Sequence, residues 1–389
     1  MGVKLEDICE ILNGYAFKSN QYVNEGFRII RITNVQKGYV EDNNPVFYPI
    51  DNCEAQKYIL NEDDLLISLT GNVGRVALLN KKYLPAVLNQ RVACLRVKNN
   101  ANIDKVFLFN FLNSDYFERK CIESAKGIAQ KNMSTEWLKR YEIPFFSIEE
   151  QQKIATVLDK VSELITLRKK QLEKLDELVK SRFVEMFGDT VINSFNWEEH
   201  FLDEYIEFLT SGSRGWAQFF VDEENELFIT IKNVKNNHIS LDSIQYINAP
   251  DNKEAQRTKV KTGDLLISIT ADLGRTGVVD EKIAARGAYI NQHLSLVRLD
   301  QKKVNPLYVS HFLETDGGKK QFESKNQNGV KAGLNFDAIR SLKILVPPLE
   351  KQNEYLDFVQ QVDKQKSSIQ QSLEKLEVLK KALMQEYFG

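Results

Sequence analysis

Residues 64–75 read DLLISLTGNVGR, and residues 264–275 read DLLISITADLGR. Eight of these twelve positions are identical at an offset of 200. The echo extends outward in both directions. Glu54-Ala55-Gln56-Lys57 matches Glu254-Ala255-Gln256-Arg257, and Asn89-Gln90 matches Asn291-Gln292. The run LVKSRFVEMFG at 178–188 matches LKKALMQEYFG at 379–389. A period near 201 residues is far too long for a solenoid, whose repeats run about 20–50 residues. It marks two homologous halves, each large enough to hold a domain with its own core.

Each half predicts a mixed domain followed by a long helix. In residues 1–146, short segments rich in Ile, Val and Leu (Phe27–Val35, Asp64–Thr70, Arg75–Leu79, Arg91–Val97) alternate with turn clusters and read as strands. Helical patterns follow at Lys105–Lys120 and Thr135–Tyr141. Residues 189–348 repeat the order with Leu227–Val234, Asp264–Thr270, Arg275–Val279 and Leu294–Leu299, then a helix over Pro306–Phe322.

Residues 147–188 and 349–389 predict the long helices. Ser147 with Glu150 three residues on forms a capping box, and Pro347-Pro348 marks the second start. Spacing of four and three picks out Ile154, Leu158, Val161, Ile165, Arg168, Leu172, Leu175, Val179, Arg182 and Met186. Shifting the frame by 201 gives Tyr355, Val359, Val362, Lys366, Ile369, Leu373, Leu376, Lys380, Leu383 and Tyr387; eight of ten are apolar each time. Such seams predict coiled-coil packing. A helix lying on one globular core rarely needs ~36 residues, or about 54 Å. The expected fold is therefore α+β: two homologous mixed α/β domains separated by two long helices packed as an antiparallel coiled coil, with pseudo-twofold symmetry. The charged seam positions Arg168, Arg182, Lys366 and Lys380 either fix register or cover apolar surface with their stems.

Composition excludes several classes. At 42% hydrophobic and 27% charged, the 389 residues describe a globular chain without an apolar run long enough to span a membrane. Met1–Glu6 shows no basic segment leading into an apolar one, so a signal peptide is not expected. Cys9, Cys53, Cys94 and Cys121 form no CxxC pair and predict reduced thiols in the cytoplasm. Charge is nearly balanced: 19 basic against 17 acidic residues in 1–146, and 19 against 22 in 189–348. Neither half has the basic balance of a free-standing nucleic-acid binder, so any such surface must concentrate its charge on one face or borrow it from another subunit.

Catalytic motifs are missing. Neither GxxxxGK[ST] nor GxGxxG occurs, and His200, His238, His293 and His311 lack metal-ligand spacing. Asn305-Pro306-Leu307-Tyr308 imitates the Asn-Pro-Pro-Tyr signature of amino-group DNA methyltransferases, but its second proline is absent. It reads better as a helix start, with Asn305 as cap and Pro306 in the first turn.

Several further segments carry a resemblance. They are Asn13-Gly14-Tyr15-Ala16-Phe17-Lys18-Ser19, Asp64–Arg75, and Gly127–Ser134 followed by Ile143-Pro144 and Glu149–Ile154. The second half offers Gly329, Leu334-Asn335 and Val346–Gln352, and Phe187-Gly188-Asp189 joins the halves. In order and doubling, the whole chain resembles the specificity (S, HsdS) subunit of Type I restriction-modification enzymes. The resemblance implies target recognition domains at 1–146 and 189–348, each reading half of a bipartite double-stranded DNA target. It implies spacer helices at 147–188 and 349–389 that fix the unread base pairs and dock two methyltransferase subunits; endonuclease-translocase subunits join them. The chain itself would be non-catalytic and bind no cofactor. S-adenosylmethionine would sit in the methyltransferase, ATP and magnesium in the endonuclease subunit. A two-headed protein-binding scaffold is the alternative.

Arg, Asn, Gln and His side chains pair with base edges, which selects the candidates for DNA contact. Asn72 with Arg75, and Asp272 with Arg275, follow a strand and a turn; the competing role for each Arg is an ion pair with Asp64 or Asp264. Asn89-Gln90-Arg91 and Asn291-Gln292-His293 offer amides beside a cation, or else turns capped by their own Asn. Lys18, Gln130, Lys131, Arg214 and Lys331 suit phosphates, or else are simple solvated charges, while Lys37 and Lys235 are candidates because Gln36-Lys37 becomes Lys235-Asn236 between the copies. Asn34 and Asn233 read as turn formers. Positions that differ between the copies are expected to select bases, which predicts an asymmetric target. The seam is expected to be built by Ile154, Leu158, Val161, Ile165, Leu172, Leu175 and Val179 with Val359, Val362, Ile369, Leu373, Leu376 and Leu383.

Overall fold

A computed structural model describes residues 2–125, 132–325 and 333–389. The chain divides into two compact units, Met1–Lys170 with Ile369–Gly389, and Gln171–Ser368. Two 40-residue helices, Ile148–Phe187 and Leu349–Phe388, each contribute to both units.

In unit 1 the central strand Leu65–Ser68 lies between Val92–Val97 and Val76–Leu78, with Cys9–Asn13 on the far side of Val92–Val97. All pairs in this sheet are antiparallel. A smaller sheet places Phe27–Ile30 beside Phe47–Tyr48 and parallel to Ala86–Leu88. Unit 2 repeats the plan. Leu265–Ser268 lies between Leu294–Leu299 and Thr276–Val278, with Ile206–Ser211 outside. Glu226–Ile229 runs parallel to Ala288–Ile290. The central strands are buried along their whole length, as their unbroken Leu-Leu-Ile runs require.

The expected helix Lys105–Lys120 is two helices, Lys105–Leu112 and Asp115–Ser124. Apolar spacing continues across the join, but the Ser114 hydroxyl accepts from the Phe117 amide and caps a new helix. Likewise Pro306–Phe322 divides into Pro306–Leu313 and Asp316–Lys325. Asn305 is the cap expected of it, accepting from the Leu307 amide at 3.0 Å. The expected strand over Phe27–Val35 stops at Ile30, because Asn34 closes a turn: its side chain accepts from Arg31 N (2.9 Å) and donates to Glu41 O (2.8 Å). Asn233 does the same with Thr230 N and Ser240 O.

The long helices start as their sequences suggest. Ser147 and Glu150 exchange both capping-box hydrogen bonds. One turn in, fully buried Gln151 accepts from Asp104 N and donates to Phe146 O. Gln352 repeats this with Asn305 N and Pro347 O. Within unit 1 the helices run antiparallel: Lys169 pairs with Glu377 (3.0 Å), while Ile154 and Leu158 share a core with Phe388. Within unit 2 Asp176 pairs with Lys366 (2.6 Å) and Arg182 reaches Glu354 (3.7 Å). All thirteen expected seam residues are buried or half-buried. Of the charged seam positions, Lys366 makes the ion pair just named, and the Arg182 guanidinium lies over Phe358.

One buried polar site distinguishes unit 2. His311 Nδ1 meets the Tyr355 hydroxyl (3.1 Å) and the Asn237 amide (3.3 Å), and the buried imidazole, carried on the Pro306–Leu313 helix, stands edge-on to the Tyr355 ring. Burial lowers its pKa from 6.5 to about 3. The sign follows. Below about pH 6.5 the unfolded chain gains a proton that the folded chain refuses, so unit 2 loses stability as pH falls from there toward 3, by roughly 1.4 kcal/mol per pH unit. In His311→Asn, which installs the residue found at the repeat-equivalent Asn110, this part of the acid sensitivity should disappear. Unfolding midpoints measured between pH 6.5 and 4 check it; equal slopes in both proteins would refute it.

Among the described residues no helix is long and apolar enough to cross a membrane, and no group of His, Cys, Asp or Glu is placed to hold a metal ion. Cys9, Cys53, Cys94 and Cys121 are all free thiols.

Candidate nucleic-acid interface

Parallel pairing brings loop segments together in each unit. In unit 1, Ile30 and Leu88 end neighbouring strands on the same side. Asn89 N then donates to Ile30 O (3.2 Å), Gln90 N to Tyr15 O (3.0 Å), Leu69 N to Arg91 O (3.0 Å) and Met133 N to Leu69 O (2.8 Å). These bonds tie together the segments around Tyr15, Arg31–Gln36, Leu69–Arg75, Asn89–Arg91 and Met133. Gly14 is needed there, since a Cβ on it would stand 2.2 Å from Asn89 O.

Unit 2 builds the same frame. Asn291 N donates to Ile229 O, Gly212 N to Leu294 O, Ile269 N to His293 O and Leu334 N to Ile269 O, each at 3.0 Å. A Cβ on Gly212 would stand 2.0 Å from Asn291 O. Both frames are held by the buried serine that ends the central strand. Ser68 Oγ donates to the Asn72 carbonyl and accepts from Arg75 N (3.0 Å). Ser268 Oγ donates to the Asp272 carbonyl and accepts from Arg275 N (2.8 Å).

The candidates divide once they are placed on this frame. Asn72, Gln90, Arg91 and Lys18 stand exposed in unit 1, and Asp272, Arg214 and Lys235 in unit 2. Arg75 donates from Nη1 to Gln36 Oε1 (2.5 Å), and Arg275 pairs with Asp272 (2.6 Å). Arg275 thus does take a surface carboxylate, its competing role, but it is Asp272; Asp64 and Asp264 are held instead by Arg96 and Arg298. The Asn89 side chain accepts from Arg91 N (3.3 Å) and that of Asn291 from His293 N (3.1 Å), so these two amides shape the turn that presents their neighbours. With the proton on Nδ1, His293 donates to Thr270 Oγ1 (2.7 Å) and accepts from the Gln292 amide (3.1 Å). Lys37 is engaged elsewhere, by Asp115 (2.8 Å) and Glu118 (2.7 Å). Gln130, Lys131 and Lys331 lie outside the described residues.

Sequence reasoning passed over Lys232 and Thr33, whereas Gln36 stood among the positions that differ between the copies. The turn-forming Asn34 and Asn233 were the available signal: the residue before each is exposed, Thr33 in one copy and Lys232 in the other. In unit 2, Lys232, Lys235 and Arg214 are exposed, and Arg275 is half-buried and paired with Asp272.

The profile described as the Type I restriction modification DNA specificity domain matches residues 1–177 and again 196–378. The chain belongs to this family. Among its relatives, the EcoBI specificity subunit of Escherichia coli is 21% identical over 95% of this chain and 81% of that protein. The MjaX specificity subunit of Methanocaldococcus jannaschii, described as a type I restriction enzyme subunit, is 26% identical over 98% and 91%. Two solved structures share the fold. A chain from a structure of the type I R-M system, described for its complex assembly and conformational transition, aligns with TM-score 0.59 at 18% identity, covering 100% of this chain and 97% of that one. The Type I S subunit of M. genitalium aligns with TM-score 0.55 at 14% identity, covering 100% and 96%. As a Type I specificity chain, the protein serves DNA sequence specificity, and the two profile matches coincide with the two copies of the loop frame.

Proposed function

We propose that each unit reads one half of a bipartite duplex target, with the loop frame facing the bases. The observation that carries this is the frame itself: one backbone construction built twice and dressed with different side chains. Base identity is read by side chains at the groove edge, while phosphate contacts set register. A shared backbone with divergent tips is what two readers of different half-sites require, so the target is asymmetric. Lys18, Lys232, Lys235 and Arg214 suit phosphates.

The long helices fix the unread spacer between the half-sites and dock two methyltransferase subunits, with endonuclease-translocase subunits joining them in the cytoplasm. Reaction chemistry belongs to those partners: S-adenosylmethionine in the methyltransferase, ATP and magnesium in the endonuclease subunit. Two linked readers make the second contact intramolecular, which raises affinity only when the spacing is right.

Mapping methylated bases in host DNA tests the proposal. The expected motif is bipartite with unlike halves; a palindrome would count against two different readers. A salt titration of the complex with its methyltransferase is the second test. With about six phosphates contacted, affinity should fall about a thousandfold between 50 and 200 mM salt. A flat response would favour a protein-binding scaffold.

A further inference from the structure

The loop after each central strand is the same object in both units. Ser68 and Ser268 pin it identically, and both copies turn on left-handed residues: Gly71 (φ 67°) and Gly74 (φ 86°) in unit 1, Ala271 (φ 57°) and Gly274 (φ 78°) in unit 2. With the backbone constant, chemistry varies only in the side chains at its tip. The tip residue is Asn72 in one unit and Asp272 in the other, both exposed. Three residues on, each copy carries an arginine steadied by a neighbour. Gln36 accepts from Arg75 at 2.5 Å, and Asp272 holds Arg275 at 2.6 Å.

We infer that this couple determines specificity at adjacent base pairs: in both half-sites the arginine reads a guanine, and the tip residue reads adenine through Asn72 but cytosine through Asp272. The inference rests on the loop frame facing DNA and assigns its letters. A carboxamide both donates and accepts, which matches the N6 amine and N7 of adenine. A carboxylate only accepts. It suits the cytosine N4 amine and is repelled by guanine and thymine, whose major-groove edges present acceptors. A steadied guanidinium keeps its remaining N–H edge directed toward O6 and N7 of guanine. The Arg275–Asp272 pair is half-exposed (side chains 42% and 62% accessible), so it adds little stability and can be shared with a base at low cost.

The test is selection from duplexes randomised in both half-sites, using the full chain in complex with its methyltransferase, for wild type, Asp272→Asn and Asn72→Asp. Asp272→Asn is expected to change one base pair of one half-site from C·G to A·T, by about tenfold in relative affinity or more, and to leave the other half-site untouched. Asn72→Asp is expected to make the reverse change in the other half-site. Arg275→Lys keeps the charge but loses the fork; discrimination at the adjacent G·C should drop while the salt slope stays the same. The exposed positions predict unchanged unfolding midpoints, which serve as the folding control. A wild type that selects sequences, combined with an Asp272→Asn variant that selects the same ones or shifts both halves together, overturns the assignment alone. A wild-type complex without sequence preference overturns the DNA-reading proposal, and this assignment falls with it.

Discussion

An Arg298→Leu variant is expected to lose about 3–5 kcal/mol of stability. Asp264 closes the turn before the central strand of unit 2, and only 1% of its side chain is accessible. It accepts from Arg298 Nε (2.8 Å) and Nη2 (2.7 Å) and from Lys261 N (2.7 Å). Leucine removes the bidentate partner and leaves a desolvated carboxylate with one backbone donor, a condition far costlier than the pair's own net worth. It also removes the guanidinium from over the Phe208 ring. Because the cost lies in the orphaned charge, the double variant Asp264→Leu with Arg298→Leu should recover much of the loss. Denaturant unfolding checks both. A single variant within 1 kcal/mol of wild type, or a double variant no better than the single, would show that the pair is dispensable. On the proposed reading the consequence for recognition is local: Asp264 lies just before the strand that ends at the Ser268 clamp, so the half-site assigned to unit 2 should weaken first.

That ion pair also shows where sequence reading stopped. Asp64 and Asp264 stood out beside Arg75 and Arg275, eleven residues along the same repeat, and local proximity suggested the pairing. The strand register decided otherwise. Leu65 sits opposite Leu95, and Leu265 opposite Val297, which brings Arg96 and Arg298 to the aspartates across the sheet. Cross-strand register depends on long-range pairing that no single segment encodes. Local signals did better. The Ser147–Glu150 box, the Asn305 cap and the Asn34 and Asn233 turns each depend on residues a few positions apart, and all form. Cys9–Asn13 and Ile206–Ser211 were missed because outer strands mix polar and apolar residues and lack the Leu-Leu-Ile signature of the centre. On the candidate interface, the composition of the loops was legible, but their convergence was not. It arises from the parallel pairing of strands about 60 residues apart, which no single loop announces.

The second large effect lies at the ends of the long helices. Phe187 and Phe388 occupy equivalent positions in the repeat, each followed by glycine. Phe187 is fully buried against Tyr308 (5.0 Å between ring centres) and Tyr355 (5.5 Å) in unit 2. Phe388 is buried against Phe107 (5.5 Å) and Phe111 (5.4 Å) in unit 1. Each ring is thus the plug by which a long helix closes the core of a unit. Phe→Ala at such a site costs about 3–5 kcal/mol, since it loses transfer energy and leaves a cavity among rigid rings. Because the rings serve different units, on the proposed reading Phe187→Ala should weaken recognition of one half-site and Phe388→Ala the other. Footprinting of the two variants on one asymmetric target, beside their unfolding curves, separates the effects. If both variants lost the same half-site, or if Phe388→Ala unfolded like wild type, the helix end would be frayed instead of a core element of unit 1. With Phe388 in the core, ending the chain at Tyr387 should act like the alanine substitution and, on the proposed reading, remove one half of the recognition.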